Sequence, residues 1–295
     1  MKLSRTCGGS NDMRLKITNP FLWATVGICL FSGGPIVFAF AQQALPIIDT
    51  HAHYNVEARN VFDTRAIVEK LKNAGVSLAF VSSTPDDGTL ALYNEDRARI
   101  VPILRPYRSS ADRPDWWEKD AVLAYVLVRL ERDVYRGIGE FHLWNAEQAK
   151  TAQMVRLFQE AVRRDLIIHV HSEADPIHAV YAVNPDVKVL WAHAGMNAAP
   201  EMIGLLLDRY PKLWTEVSMR AHDIAPAGQL AAAWRDLFLR HPDRFMIGTD
   251  TWTTSRWPEY ADIVDEHRAW LVQLPGEVAE KIAFRNAQRL AAIQE

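Results

Sequence analysis

Cysteine is nearly missing from this chain. Of 295 residues only Cys7 and Cys29 carry a thiol, and both precede residue 42. Everything after that point must be held together by packing or by a metal rather than by disulfides. An excess of one charge is missing too. The 33 Lys and Arg set against 36 Asp and Glu leave a net charge of −3, with no basic cluster. That balance argues against nucleic acid as a partner. No low-complexity tract or linker interrupts residues 42–295, so a single domain is expected there. What is present is 49% hydrophobic residues, enough for a large core, together with ten Trp and ten His.

The first 41 residues read differently from the rest. Arg14 and Lys16 precede FLWATVGICLFSGGPIVFAFAQQ, an apolar run broken by Gly33, Gly34 and Pro35 that ends in Ala39-Phe40-Ala41. A positive start, an apolar stretch and an A-x-A site make the pattern of a secretory signal peptide. Cleavage after Ala41 is expected, with Met13 as an alternative start. The mature protein is then exported, periplasmic or secreted, and touches membrane only through the export signal. An uncleaved N-terminal anchor is the competing reading, because the run is about as long as a membrane span. The Gly-Gly-Pro break and the small-residue site favour removal. Cys29 follows Ile28 instead of a small residue, which speaks against lipid attachment.

Residues 42–295 match the size of a (β/α)₈ barrel, roughly 250 residues. Eight short apolar runs recur: LPIIDTHAH, VSLAFVSS, IVPILRPY, VYRGIGEFH, LIIHVHS, VKVLWAHAG, LWTEVSM and RFMIGTDT. Runs of this kind are what parallel strands buried on both faces look like. Amphipathic stretches alternate with them, among them DTRAIVEKLKNAG with Asp63 or Thr64 as N-cap and Gly75 past its end. NAEQAKTAQMVRLFQEAVRRD and APEMIGLLLDRYP repeat the theme, and PGEVAEKIAFRNAQRLAAI reads as an extra C-terminal helix. The alternation predicts an α/β fold, a single (β/α)₈ TIM barrel. A doubly wound open sheet is the alternative, less suited to eight units in this length.

In such barrels the site lies at the C-terminal ends of the strands. The polar residues closing the runs are His51 and His53, Arg105, Glu140 and His142, His169 and His171, His193, Ser218 and Arg220, and Asp250. His51-x-His53 puts two imidazoles on one face of a strand, because side chains alternate with period 2. Taken singly, a strand-end histidine is more often structural, and Asp250 could simply cap the next segment. Imidazoles and carboxylates converging on one mouth suit zinc or a similar divalent ion.

With IDTHAHY, GIGEFH, IIHVHSE, LWAHAG, MIGTDT and the terminal KIAFRNAQRLAAI, the chain resembles the amidohydrolase superfamily, in its amidohydrolase-related branch. The resemblance spans essentially all of residues 42–295 and implies a metal-dependent (β/α)₈ hydrolase, with some relatives acting as decarboxylases or lactonases. It further implies that His51, His53, His171 and Asp250 are metal ligands. His193 is implied as a ligand or as a group that activates water or substrate, and Asp250 as the proton acceptor. Many relatives bridge two metals with a carboxylated Lys at strand 4; Glu140 stands there, as in some relatives. One ion is expected, with a second left open. His169, two residues earlier on the same face, is the reserve for His171 and would sit deeper.

The expected cofactor is therefore a divalent metal, foremost Zn²⁺, and the expected partner a small-molecule substrate; a homo-oligomer is compatible. The expected reaction is cleavage of an amide, lactone or ester by a metal-activated water, with Asp250 and His193 moving the proton. Tyr54, Trp144, Trp252 and Trp257 near the mouth would favour a flat body, and Arg105 or Arg220 could take a carboxylate. Equally, the aromatics could pack the rim and the arginines pair with local acids. Two other functions remain open: non-oxidative decarboxylation of an aromatic acid, and a non-catalytic metal- or ligand-binding barrel.

Overall fold

A computed structural model describes residues 45–292. The expected leader, residues 1–41, lies outside the described residues. Eight strands follow one another: β1 (Ile47–His53), β2 (Val76–Ser82), β3 (Ile100–Leu104), β4 (Gly137–His142), β5 (Ile167–His171), β6 (Lys188–Trp191), β7 (Leu213–Glu216) and β8 (Phe245–Met246). Each pairs in parallel with the next, in the order β1 to β8. The sheet curls back on itself, since an isolated parallel bridge joins Asp49 to Ile247. Thr50 N–H donates to the Ile247 carbonyl at 2.8 Å across that seam. Helices lie between the strands, as the alternation predicts.

The residues facing the barrel axis change character along each strand. Val101 and Ile103 lead to Arg105, Ile167 leads to His169 and His171, and Trp214 leads to Glu216 and Ser218, each step being two residues. The apolar members meet as a buried cluster with Ile48, Phe80, Leu190 and Met246. Leu290 and Ala291 of the C-terminal helical segment complete that cluster. The lower half of the barrel is thus a packed apolar plug, and the polar members are gathered above it.

Local signals explain most element ends. Asp63 caps helix Thr64–Asn73 by accepting from Ala66 N at 2.7 Å. Gly75 follows with φ +68°, where a β-carbon would be strained. Three boundaries differ from the sequence reading. The stretch 145–165 divides at Thr151, whose hydroxyl donates to the Trp117 carbonyl at 2.6 Å and caps helix Ala152–Arg163. The final helix contains a π-helical turn at Lys281–Arg285. Strand β8 is two residues long, because the chain after Met246 leaves the ladder to pack on β1.

Candidate metal centre

His51 and His53 leave β1 with their Nε2 atoms 3.0 Å apart. Asp250 Oδ1 lies 3.5 Å from the first and 3.3 Å from the second. Glu140 Oε2, from β4, lies 3.7 and 3.3 Å from the same two nitrogens. His193 approaches with Nε2 3.7 Å from Glu140 Oε1 and 3.9 Å from Asp250 Oδ2. His171 joins through Glu140, its Nδ1 2.7 Å from Oε1, and its ring stands 4.7 Å from that of His193. Residues scattered along two hundred positions of chain therefore meet in one place. Two of them have unusual backbones: His193 has φ +56° and Asp250 φ +50°. Left-handed conformations outside glycine cost free energy and concentrate at functional sites.

The donor set fits a divalent cation. His51, His53 and Asp250 bring ligand atoms within 4.8 Å of one another, as do His51, Glu140 and His193. His193 Nε2 and Asp250 Oδ1 are buried with no hydrogen-bond partner. Buried polar atoms left without partners are costly, and an unpartnered carboxylate oxygen beside the Nε2 atoms of His51 and His53 calls for a positive charge there. Electrostatics agrees. Burial works against ionising Asp250, yet the charge on His51 and the neighbouring His53 imidazole outweigh it and hold its carboxyl down at about 2. Burial likewise opposes a charge on His51, and Asp250, Glu216 and Glu140 together outweigh that, raising it well above the usual imidazole range. Surrounded by three carboxylates, the spot holds a proton on His51 or a cation in its stead.

Behind these groups stands Glu216, at the end of β7, which the sequence reading passes over. It is fully buried. Oε1 accepts from His51 Nδ1 at 2.9 Å and from His193 N–H at 2.7 Å; Oε2 accepts from Ser218 N–H at 2.7 Å. Ser218 Oγ in turn lies 2.8 Å from His193 Nδ1. With both Nδ1 atoms engaged from below, the Nε2 atoms of His51 and His193 turn towards the centre, the arrangement by which a carboxylate fixes a liganding imidazole. Gly248 leaves the room required, since a β-carbon there would fall 2.2 Å from Glu216 Oε2. An acid inside the apolar run LWTEVSM was the available signal.

The remaining expected residues fall into two groups. Trp144 and Trp252 are 56% and 53% exposed, as rim aromatics would be. Arg105, Arg220, Tyr54 and Trp257 are buried. Arg105 bonds the carbonyl and carboxylate of Glu140 at 3.0 and 2.9 Å. Arg220 is bound to Asp223 and to the carbonyls of His193, Ala194 and Ala198. Tyr54 donates to the Phe62 carbonyl at 2.6 Å, and Trp257 stacks on Tyr260. These four hold the framework, so their polar atoms are not the ones presented to a ligand. His169 packs edge-on against His51, its Nε2 4.0 Å from Glu216 Oε1, deeper than His171. His142 stacks on His171 at 4.4 Å and touches Tyr107 and Arg113 through its two nitrogens.

An amidohydrolase family model matches residues 45–291. No curated protein matches the chain. Among solved structures, a probable 2-pyrone-4,6-dicarboxylic acid hydrolase from Acinetobacter baumannii is 13% identical, with a TM-score of 0.61 over 84% of this chain and 100% of that one. A Burkholderia multivorans amidohydrolase with bound zinc is 15% identical, with a TM-score of 0.56 over 84% and 100%. A 5-carboxyvanillate decarboxylase from Novosphingobium aromaticivorans, complexed with manganese, is 12% identical, with a TM-score of 0.56 over 85% and 97%. At such identities the likeness to these structures is one of fold. The match across nearly all of the described barrel places the chain in the amidohydrolase family.

Proposed function

We propose that the protein is a metal-dependent hydrolase that cleaves a C–N or C–O bond of a small substrate, an amide, lactone or ester. The buried meeting of His51, His53 and Asp250, with a carboxylate oxygen left unpartnered, carries this reading. His51, His53, Asp250 and His171 would hold the ion, with Glu140 beside them and zinc as the expected species. A bound divalent cation supplies Lewis-acid polarisation and makes a nucleophile of water near neutral pH.

The chain's own groups then move protons. Asp250, kept ionised, takes a proton from the attacking water as its oxygen joins the acyl carbon. His193 is the group to deliver a proton to the departing nitrogen or oxygen. Burial would lower its pKa, but the nearby carboxylates of Glu140 and Glu216 outweigh this and raise it, so it carries a proton at neutral pH more readily than a free imidazole. Glu216, Ser218 and Arg220 hold His193 in place from the opposite side.

The test is metal analysis of purified protein, then chelation and add-back of zinc or manganese against a panel of lactones, amides, esters and aromatic acids. Turnover that vanishes on chelation and returns with metal is expected. Full activity after complete stripping, or no turnover across the panel by loaded protein, would sink the proposal. A second reading, decarboxylation of an aromatic acid, is favoured by the shared fold with a carboxyvanillate decarboxylase. There CO₂ leaves and a proton from the chain takes its place on the ring. Released CO₂ without acid–alcohol or acid–amine products decides for it.

A further inference from the structure

We propose that Arg113 and Trp144 form a rim subsite that binds a carboxylate borne on a flat ring. This rests on the functional reading above and adds the feature that a substrate of the centre must carry.

The observation is an arginine with donors to give. Four arginines come from the loops after β3 and β7. Arg105 is committed to Glu140. Arg108 grips Asp112 with two parallel bonds at 2.8 and 2.7 Å. Arg220 is bound to Asp223 and three carbonyls. Arg113 differs. It is exposed, and among the described residues no acid pairs with it. Its side-chain contact is one nitrogen, Nη2, 3.1 Å from His142 Nε2. A guanidinium presents five donors in a planar fork that matches a carboxylate, so most of this one is unused.

The ring it touches is held from behind. Tyr107 Oη lies 3.0 Å from His142 Nδ1 and accepts the His142 backbone N–H at 2.9 Å. His142 therefore fixes one corner of the fork and leaves the rest facing outward. On the same imidazole, Trp144 rests with ring centres 4.9 Å apart, and His142 also stacks on His171, gripped by Glu140. Glu140 bonds His171, His171 stacks on His142, and Trp144 and Arg113 both contact the His142 imidazole. An indole more than half exposed gives a ring a face to lie on, and the guanidinium held on the same imidazole gives an acid on that ring a partner. The second end of such a molecule reaches towards the centre.

Isophthalate and benzoate are the probes, with benzamide as the neutral isostere, titrated calorimetrically into the full chain before and after chelation. Isophthalate is expected to bind at least tenfold more tightly than benzamide. Arg113→Ala should weaken it tenfold or more without changing metal content or circular dichroism, and Arg113→Lys should recover only part. Trp144→Ala should weaken benzoate more than cyclohexanecarboxylate. Wild-type protein that binds neither acid, or Arg113→Ala that binds isophthalate unchanged, overturns the subsite. Binding lost on chelation yet indifferent to Arg113→Ala assigns the acid to the cation and overturns it too. Arg113-dependent binding in protein that hydrolyses nothing upholds the subsite while removing the hydrolase reading, so the two fail separately.

Discussion

Two carboxylates on opposite nitrogens of the His51 ring have different tasks here. Asp250 keeps Oδ1 unpartnered beside His51 and His53, whereas both oxygens of Glu216 are filled by donors from His51, His193 and Ser218. Substitution should separate them. Asp250→Asn preserves shape but removes the proton acceptor, and turnover should fall about 10²- to 10⁴-fold with the fold intact by circular dichroism. Glu216→Gln preserves volume but sets an amide NH₂ against N–H donors on one side. The imidazole of His51 is then less firmly aimed, and metal affinity should drop about 10- to 100-fold in competition with a chelating dye. An unchanged dissociation constant would remove Glu216 from the support of the site. The contrast also shows what a sequence carries at this scale. His51, His53, Glu140 and Asp250 were legible because each is polar at the end of an apolar run. The task of Arg220 was not, because alternation indicates a direction along a strand while its partners are carbonyls of residues 193–198, set by a loop that no local pattern encodes.

At the scale of elements, the eight strands were legible for a physical reason: parallel strands covered on both faces read as short, mostly apolar runs, here alternating with amphipathic stretches. Their ends were less so. A hydroxyl at Thr151 and an early departure at Met246 moved boundaries by residues. Helix Tyr260–Leu271 shows how an element steadies the site from outside. His267 Nε2–H donates to the Gly248 carbonyl at 3.0 Å, two residues before Asp250, while its Nδ1 accepts from Trp270 Nε1–H at 3.3 Å. Both nitrogens are satisfied in the neutral ring, and a second ring proton would meet the Trp270 donor head-on. Burial accordingly pushes this imidazole down to about 4. The unfolded chain takes up a proton near the ordinary value of about 6.5. Between those limits the unfolded state binds more protons, so the stability from His267 is complete above about pH 6.5 and is lost as pH falls towards 4. The loss amounts to about 3 kcal/mol over the window. Denaturant titrations at several pH values should show wild type losing stability relative to His267→Gln as pH falls from 7 to 4. Parallel curves would mean that the neutral ring is not what holds the Gly248 carbonyl.

For the molecule as a whole, the division between an apolar lower barrel and a polar upper one bears on what metal does for stability. A small metal-nucleated domain unfolds when stripped, because its ligands are most of what joins it. Here the plug of Ile48, Phe80, Val101, Ile103, Ile167, Leu190 and Met246, with Leu290 and Ala291 against it, contains none of the expected ligands. The seam between first and last strands is also closed without their side chains, by Thr50 on Ile247 and by Asp49 receiving Thr249 and Tyr260. The stripped barrel should therefore stay folded and lose only the free energy of binding. A ligand present at about a thousand times its dissociation constant contributes about 4 kcal/mol. For a domain of this size that corresponds to a fall in Tm of roughly 8–15 °C. The stripped protein should also bind metal more weakly as pH drops, because His51, raised by its three carboxylates, keeps its proton in competition with the cation. Scanning calorimetry of loaded and chelated protein at two pH values measures both effects. Coincident melting curves would show that nothing occupies the space among His51, His53 and Asp250, whereas collapse of the far-ultraviolet dichroism on chelation would show that the apolar plug is not sufficient to hold the barrel.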